Sequence, residues 1–314
     1  MTSPRYLLIC PCRDEADYMR ETLDSLAAQT VAPALALVID DGSTDATPAI
    51  LEEYAQRLDF LKVIHRADRG DREVGVGPID AFNEALATVN LGDYDFVCKL
   101  DLDLKLPAAY FQTLIERMQA DPRLGSYSGK PYVRVDGGLE PEPCGDELSV
   151  GMTKFYRRDC FVQVGGFEPV LNWEAIDCHR ARLLGWKVRA DDDAEALRFV
   201  HLRRMGSSHH NVLRGRYRHG AGQYIMGTGW FYILASGVYR ATTWPVLTGG
   251  LAIVWGYAHA MVRRQPRYGT PGFRAFLRRY QWQCLLRGKN RATVRIEAAQ
   301  ADRWRPAFSE YRPD

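Results

Sequence analysis

Cysteine is present but scattered. The seven Cys of this 314-residue chain stand at Cys10, Cys12, Cys98, Cys144, Cys160, Cys178 and Cys284. Cys10 and Cys12 are too close, and the others too scattered, for zinc spacing. An odd count, mostly inside expected strands and helices, also argues against a disulfide framework, which excludes a small secreted scaffold and suits a reducing compartment. A long apolar run is missing at the N-terminus too. Tyr6 to Cys10 is short and runs straight into Pro11, so no secretory signal is expected. No internal repeat and no low-complexity tract is present. Acids, finally, are what the last third lacks. From His201 onward there are 18 Arg and one Lys against four acids, a balance of +15. The first 200 residues hold 22 bases and 35 acids, a balance of −13, so the net charge of +2 conceals two opposite regions. Such a split points to an anionic surface, membrane or nucleic acid, as a partner of the C-terminal part.

What is there is an alternation. With 46% hydrophobic and 25% charged residues the composition is that of a globular protein, long enough for one large domain with an appendage or for two modest ones. Short apolar runs at Tyr6 to Cys10, Leu35 to Ile39, Leu61 to Ile64 and Asp95 to Leu100 suit buried strands. Helical patterns lie between them at Glu15 to Ala28, Thr47 to Arg57 and Ile79 to Val89, the second with Asp45 placed to cap it. This is the pattern of βαβ units and a mostly parallel sheet. A further helix follows Pro107 to Met118. Residues 136–146, rich in Gly, Pro and acids, read as a mobile loop. Helix returns from Glu174 to Leu184, followed by strands at Trp186 to Ala190 and Arg198 to His201.

Beyond Gly220 the character changes. His219 to Tyr239 and Ala241 to Val262 carry no Asp, Glu, Lys or Arg, and both approach bilayer-spanning length. Glycines and Pro245 interrupt them, however, and Tyr and Trp are frequent. Phe273 to Leu286 interleaves Phe273, Phe276, Leu277 and Tyr280 with Arg274, Arg278 and Arg279, a basic amphipathic pattern that lies in a membrane interface rather than across it. Nucleic acid is not expected as a partner, because Trp and uncharged stretches suit lipid better.

The chemistry gathers at strand ends. Asp40-Asp41 closes the run Leu37-Val38-Ile39, and Leu100-Asp101-Leu102-Asp103 closes the strand begun at Phe96. Open α/β sheets bind ligands at the carboxyl ends of their strands, and hard carboxylate oxygens there suit Mg²⁺ or Mn²⁺ bridging a diphosphate. With Pro11-Cys12-Arg13-Asp14-Glu15 ahead of Val38-Ile39-Asp40-Asp41-Gly42-Ser43-Thr44-Asp45 and then Leu100-Asp101-Leu102-Asp103, the order and spacing resemble family 2 glycosyltransferases over about residues 5 to 204. The resemblance implies a Rossmann-like GT-A sheet with flanking helices, followed here by a C-terminal helical appendage at the membrane interface. The boundary falls between a catalytic domain at 1–204 and a basic helical region at 205–314.

The resemblance also implies roles. Asp103 would be the metal ligand and Asp101 would face ribose or sugar. Asp41 would contact the nucleobase or its ribose, with Pro11 and Arg13 lining that pocket and Glu15 and Arg72 also on the donor. Asp14 and Glu15 have a simpler account as first-turn acids on a helix dipole. His201, at a strand end, matches a third metal or diphosphate ligand, with Arg203 and Arg204 available to phosphate oxygens. Leu171-Asn172-Trp173-Glu174-Ala175-Ile176-Asp177 resembles the acceptor-side segment, although the usual Glu-Asp pair is absent. Counting back from Gly185-Trp186 puts Glu174 on the base position, and Asp177 shares its helix face one turn on. In an inverting displacement one carboxylate must take the acceptor's proton.

These features lead to an inverting, metal-dependent glycosyltransferase moving a sugar from a nucleotide-diphosphate donor to a saccharide or lipid-linked acceptor. The expected setting is surface polysaccharide or glycoconjugate synthesis at the cytoplasmic face of the cell membrane, in a peripheral or re-entrant position. A polyprenyl-phosphate glycosyltransferase stays open, as does an inactive nucleotide-sugar-binding or membrane scaffold. A nucleotidyltransferase fits less well, because residues 11–15 lack the Gly-rich basic loop it needs.

Overall fold

A computed structural model of the protein describes residues 4–67, 77–204 and 212–305. Strand β1 (Tyr6–Cys12) is buried at every position. It lies between β2 (Leu35–Asp40) and β4 (Phe96–Leu100), parallel to both, with β3 (Leu61–His65) beyond β2. Both faces must be covered for so apolar a strand to sit there, and α1 (Met19–Ala27), α2 (Thr47–Arg57) and α3 (Gly77–Leu86) supply crossovers. Alternate residues feed separate cores. Leu8, Val38 and Cys98 join one apolar cluster, while Leu7, Leu37 and Val97 join the other.

After β5 (Leu104–Lys105) and α4 (Tyr110–Ala120), the sheet is extended by β6 (Leu124–Ser128), β9 (Thr153–Arg157) and β10 (Lys187–Ala190). The order is β10-β6-β9-β4-β1-β2-β3, with β9 antiparallel to both its neighbours. The chain runs one way from β1 to β2 and the other way to β4, so the carboxyl ends of these three strands surround a switch point. A smaller sheet of order β5-β11-β7-β8 adds β7 (Lys130–Val135), β8 (Gly138–Pro141) and β11 (Arg198–His201).

Two expectations need correction. Residues 136–146 are not simply a loop: Asp136 and Gly137, with φ of 45° and 84°, turn the chain into the β7–β8 hairpin. A two-residue turn of that handedness matches strand twist, but β8 is exposed at all four positions and so lacks the apolar alternation that marks a strand. Helix α1 starts at Met19 rather than Glu15, because Asp14 adopts φ 53° and the chain makes a turn before entering the helix.

Helices α5 (Arg158–Val164) and α6 (Trp173–Leu183) pack beneath β9 and β10. The C-terminal part consists of α7 (Val212–Met226), α8 (Trp230–Ala241), α9 (Thr248–Val262), α10 (Phe273–Arg287) and α11 (Lys289–Ala299). Helices α7 and α9 touch backbone to backbone. A Cβ on Gly220 would fall 1.9 Å from the Ile253 carbonyl, and one on Gly256 would fall 2.0 Å from that of Tyr217. Helix α11 is fastened to the sheet through buried Glu297, which takes Arg182 Nε at 3.0 Å and Arg189 at 2.6 Å. Among the described residues no helix is long and apolar enough to cross a membrane. The two uncharged stretches are instead broken at Gly227–Gly229 and at Thr242–Leu247.

Candidate active site

The end of β4 delivers both carboxylates of the second acidic pair. Asp101 N–H donates to the Met152 carbonyl at 2.8 Å, which ties the strand end to the segment leading into β9. Its carboxylate takes the ammonium of Lys99, from the same strand. Burial pushes the Asp101 carboxyl up and Asp103 adds to this, against the pull of Lys99.

Asp103 is buried. Its Oδ2 accepts Arg203 Nε at 3.2 Å and the terminal nitrogen at 2.9 Å, and lies 3.6 Å from His201 Nε2. Burial works to raise this carboxyl, but His201 and Arg203 hold it below its usual range. Its Oδ1 is buried with no hydrogen-bond partner among the described residues. Leaving an acceptor so costs about 1–3 kcal/mol. Arg203 also reaches Glu15 Oε1 at 2.8 Å, so one guanidinium bridges the β1 and β4 ends.

His201 Nδ1 lies 2.6 Å from Glu142 Oε2. A carboxylate behind a histidine fixes its tautomer and aims the other nitrogen, here toward Asp103, as at many metal sites. Glu142 was invisible to the sequence reading. It lies in the stretch read as a loop, and only the pairing of β7 with β11 brings it to His201. Burial alone would lower the His201 imidazole, yet Asp103 and Glu142 push it up to about 9. A folded value above the unfolded one, about 6.5, contributes stability that is complete below that pH and lost as pH rises through about 9. In EDTA, the melting temperature should fall across this window by an amount worth roughly 2–3 kcal/mol. The fall should flatten in His201→Gln, and an equal fall in both proteins would disprove the assignment.

At the nucleotide end, Pro11 is in register with Ile39 on β2. Arg13 donates to the Asp41 carbonyl at 3.0 Å, and Arg66 to the Asp41 carboxylate at 2.8 Å. Asp40 is structural: it accepts Ser43 N–H at 2.9 Å and meets His65 at 3.0 Å. Asp14 and Glu15 do not serve a helix dipole. Asp14 accepts Thr44 N–H at 2.8 Å, which clamps the loop before α2, and Glu15 turns toward Arg203. Asp45 accepts Thr47 N–H at 2.9 Å from one residue ahead of the expected place, because the N-cap of α2 is Ala46, which makes no side-chain capping bond. Arg72, with Arg69, lies outside the described residues.

The two acceptor-side carboxylates separate. Glu174, in the first turn of α6, is exposed, and its Oε2 lies over Gly151, where a Cβ would come within 2.2 Å of it. Gly151 precedes Met152, whose carbonyl holds Asp101, so Glu174 and the acidic pair share one rim. Asp177 is 3% exposed. Its oxygens are taken by Lys154 Nζ at 2.6 Å, Tyr156 OH at 2.7 Å and Cys178 N–H at 2.7 Å. Asp177 is thus buried with both oxygens partnered, whereas Glu174 is open. Burial works to lower the Lys154 ammonium, but Asp177 holds it above its ordinary value. Lys154 also donates to the Glu174 carbonyl at 2.5 Å, and Trp173 packs its ring 5.2 Å from that ammonium and 5.7 Å from Lys99.

Over 123 residues the chain is 29% identical to the poly-beta-1,6-N-acetyl-D-glucosamine synthase of Staphylococcus epidermidis, covering 39% of this chain and 27% of that protein. The chain thus spans about a quarter of the length of the curated relatives it matches. Among solved structures, the mannosyltransferase PcManGT from Pyrobaculum calidifontis, in complex with GDP-Man and Mn²⁺, is similar with a TM-score of 0.54 and 17% identity over 96% of this chain and 88% of that one. GalNAc-T7 with UDP, GalNAc and Mn²⁺ gives 0.57 and 13% over 90% and 58%. S. aureus TarS 1-349 in complex with UDP-GlcNAc gives 0.52 and 16% over 95% and 90%. At these identities the structures speak to the fold, which is the GT-A fold. The model of Glycosyl transferase family 2 matches residues 7–161, the stretch from β1 through both acidic strand ends to α5, and by that match the chain belongs to the family 2 glycosyltransferases.

Proposed function

We propose that this glycosyltransferase is inverting and metal-dependent. It would move a sugar from a nucleotide-diphosphate donor to a saccharide or lipid-linked acceptor in the synthesis of surface polysaccharide or glycoconjugate. The observation that supports this most directly is the unpartnered Oδ1 of buried Asp103 beside His201, on the rim that carries outward-facing Glu174. Asp103 and His201 would hold Mg²⁺ or Mn²⁺. Among the described residues no three His, Cys, Asp or Glu are gathered for a metal. A two-ligand site suits a cation that keeps waters and takes substrate phosphates as its remaining ligands. When bound, it would offset the charge of the departing nucleotide diphosphate.

The chain's own groups divide the remaining work. Asp101, steadied by Lys99, would face ribose or sugar. Pro11, Arg13 and Asp41 would line the nucleotide end, with Asp41 accepting a base or ribose hydrogen. Glu174 would take the acceptor hydroxyl's proton as its oxygen attacks the anomeric carbon from the face opposite the diphosphate. Asp177 then acts as a positioning residue through Lys154. Residues 1–204 would carry this chemistry and 205–314 would hold the enzyme on the inner face of the membrane. That placement is supported by Trp230, Trp244, Trp255 and Leu286, which are 56%, 74%, 64% and 75% exposed on a region of high positive charge.

The test is thermal stabilisation by UDP-, GDP- and dTDP-sugars with Mn²⁺, with EDTA and in Asp103→Asn. Stabilisation by one donor that needs the metal and vanishes in the variant is expected. A folded protein stabilised by none would overturn the reading. Gly151→Ala offers a second check. The added methyl would crowd the Glu174 carboxylate oxygen at 2.2 Å, the far end of a flexible side chain, with Cδ and Cβ of the same residue at ordinary contact, so the melting temperature should barely move. Displacing a reacting group by about 1 Å costs on the order of 10²-fold in rate, and a kcat loss of at least about tenfold is expected. Unchanged kcat would dissociate Glu174 from the reaction.

A further inference from the structure

The donor chemistry leaves a groove between α8, α9 and α10 unused. Its volume is about 510 Å³, within the range of about 300–1,000 Å³ that holds small-molecule ligands. Trp230, Phe231, Ile233, Val254, Met261 and Trp282 make its walls apolar, and among the described residues its only charged lining residues are Arg267 and Arg278. The floor is held firmly. Tyr257 OH donates to the Thr228 carbonyl at 2.8 Å, while Gln281 bonds Thr228 Oγ1 at 3.1 Å and accepts Gly229 N–H at 3.0 Å.

Among the described residues neither arginine makes an ion pair with a carboxylate. The sequence has no Asp or Glu between Glu195 and Glu297, so α7 to α10 offer no carboxylate to either. Arg267 instead lies against Tyr224, its guanidinium carbon 4.2 Å from the ring centroid, and its Nε is buried with no hydrogen-bond partner among the described residues. A guanidinium beside an apolar slot with no anion of its own matches a ligand that brings both a hydrocarbon and a phosphate. The groove also abuts the acceptor side of the site. Ile233 and Tyr257 share a buried cluster with Leu171, three residues ahead of Glu174.

We propose that this groove seats one hydrocarbon chain of a phosphate-bearing lipid acceptor, with Arg267 and Arg278 on its phosphate. This rests on the glycosyltransferase reading above, whose acceptor it specifies. The exposed Trp255, Leu251 and Val262 of α9 would then face the bilayer from which the lipid enters.

Farnesyl phosphate is a suitable probe, because Trp230 and Trp282 line the groove and report binding by fluorescence. Titrated into the full chain, it should bind saturably and at least about tenfold more tightly than farnesol, with no binding of inorganic phosphate, as expected when charge-assisted bonds add to apolar contact. Arg267→Gln with Arg278→Gln should bring its affinity down to that of farnesol. Ala258→Trp, which fills the slot, should abolish both. Equal affinity for farnesol and its phosphate, or unaltered binding in both variants at unchanged melting temperature, would overturn the proposal. Donor stabilisation with Mn²⁺ is measured on the same samples. Its loss alone sinks the glycosyltransferase reading and leaves the lipid groove, whereas loss of farnesyl phosphate selectivity alone sinks only the groove.

Discussion

Glu174→Gln should lower kcat by roughly 10²–10⁴-fold, the usual worth of a positioned general base, while donor binding with Mn²⁺ stays intact. The amide keeps the size and exposure of the side chain, so neither fold nor nucleotide site has reason to change. What it loses is the capacity to accept a proton. Asp177→Asn should behave differently. It leaves Lys154 charged and buried against an uncharged group, so the first effect is on stability, and any fall in turnover follows from a displaced α6. Measuring kcat and melting temperature for both variants separates the roles. A Glu174→Gln enzyme with near-normal turnover, or an Asp177→Asn enzyme that melts normally but is dead, would reverse the assignment.

The sequence revealed the fold where the pattern was local. The runs at β1, β2, β3 and β4 are short, apolar and punctuated by helical patterns, so their order and the carboxylates at their ends could be read directly. Asp101 and Asp103 were legible for that reason, whereas Glu174, on a helix, was reached only by counting back from Gly185-Trp186 along the family resemblance. The groups that act on them were not. Glu142 is 59 residues from His201, and Lys154 is 23 from Asp177 and sits in a strand whose antiparallel insertion no periodicity announces. Arg203 was noted for phosphate, yet the structure sets it between Glu15 and Asp103, which are far apart in the chain. The choice between Glu174 and Asp177 shows the limit clearly. Helical spacing puts both on one face, and only the position of β9 decides that one is covered and the other open.

Lys154→Met should be the most destabilising single substitution in the site. It removes the ammonium from a pair whose side chains are 0% and 3% exposed, and stranding one partner of a buried pair costs about 3–5 kcal/mol. The loss does not end at the pair. Lys154 also holds the Glu174 carbonyl, and Trp173 rests on it, so the start of α6 loses its anchor at the residue that carries the exposed carboxylate. Lys154→Met with Asp177→Leu removes both charges and should recover most of the lost stability, since apolar replacements of a buried pair are often neutral. Tyr156 OH, which loses its acceptor, sets a residual cost of about 1–3 kcal/mol. The double variant therefore tests function as well as stability. If it melts near the wild type and retains measurable turnover with Glu174 intact, Asp177 serves to place α6. If it is stable yet inactive, with Glu174→Gln still active, the proton is taken at Asp177 and the buried carboxylate must be reached by a movement of Trp173.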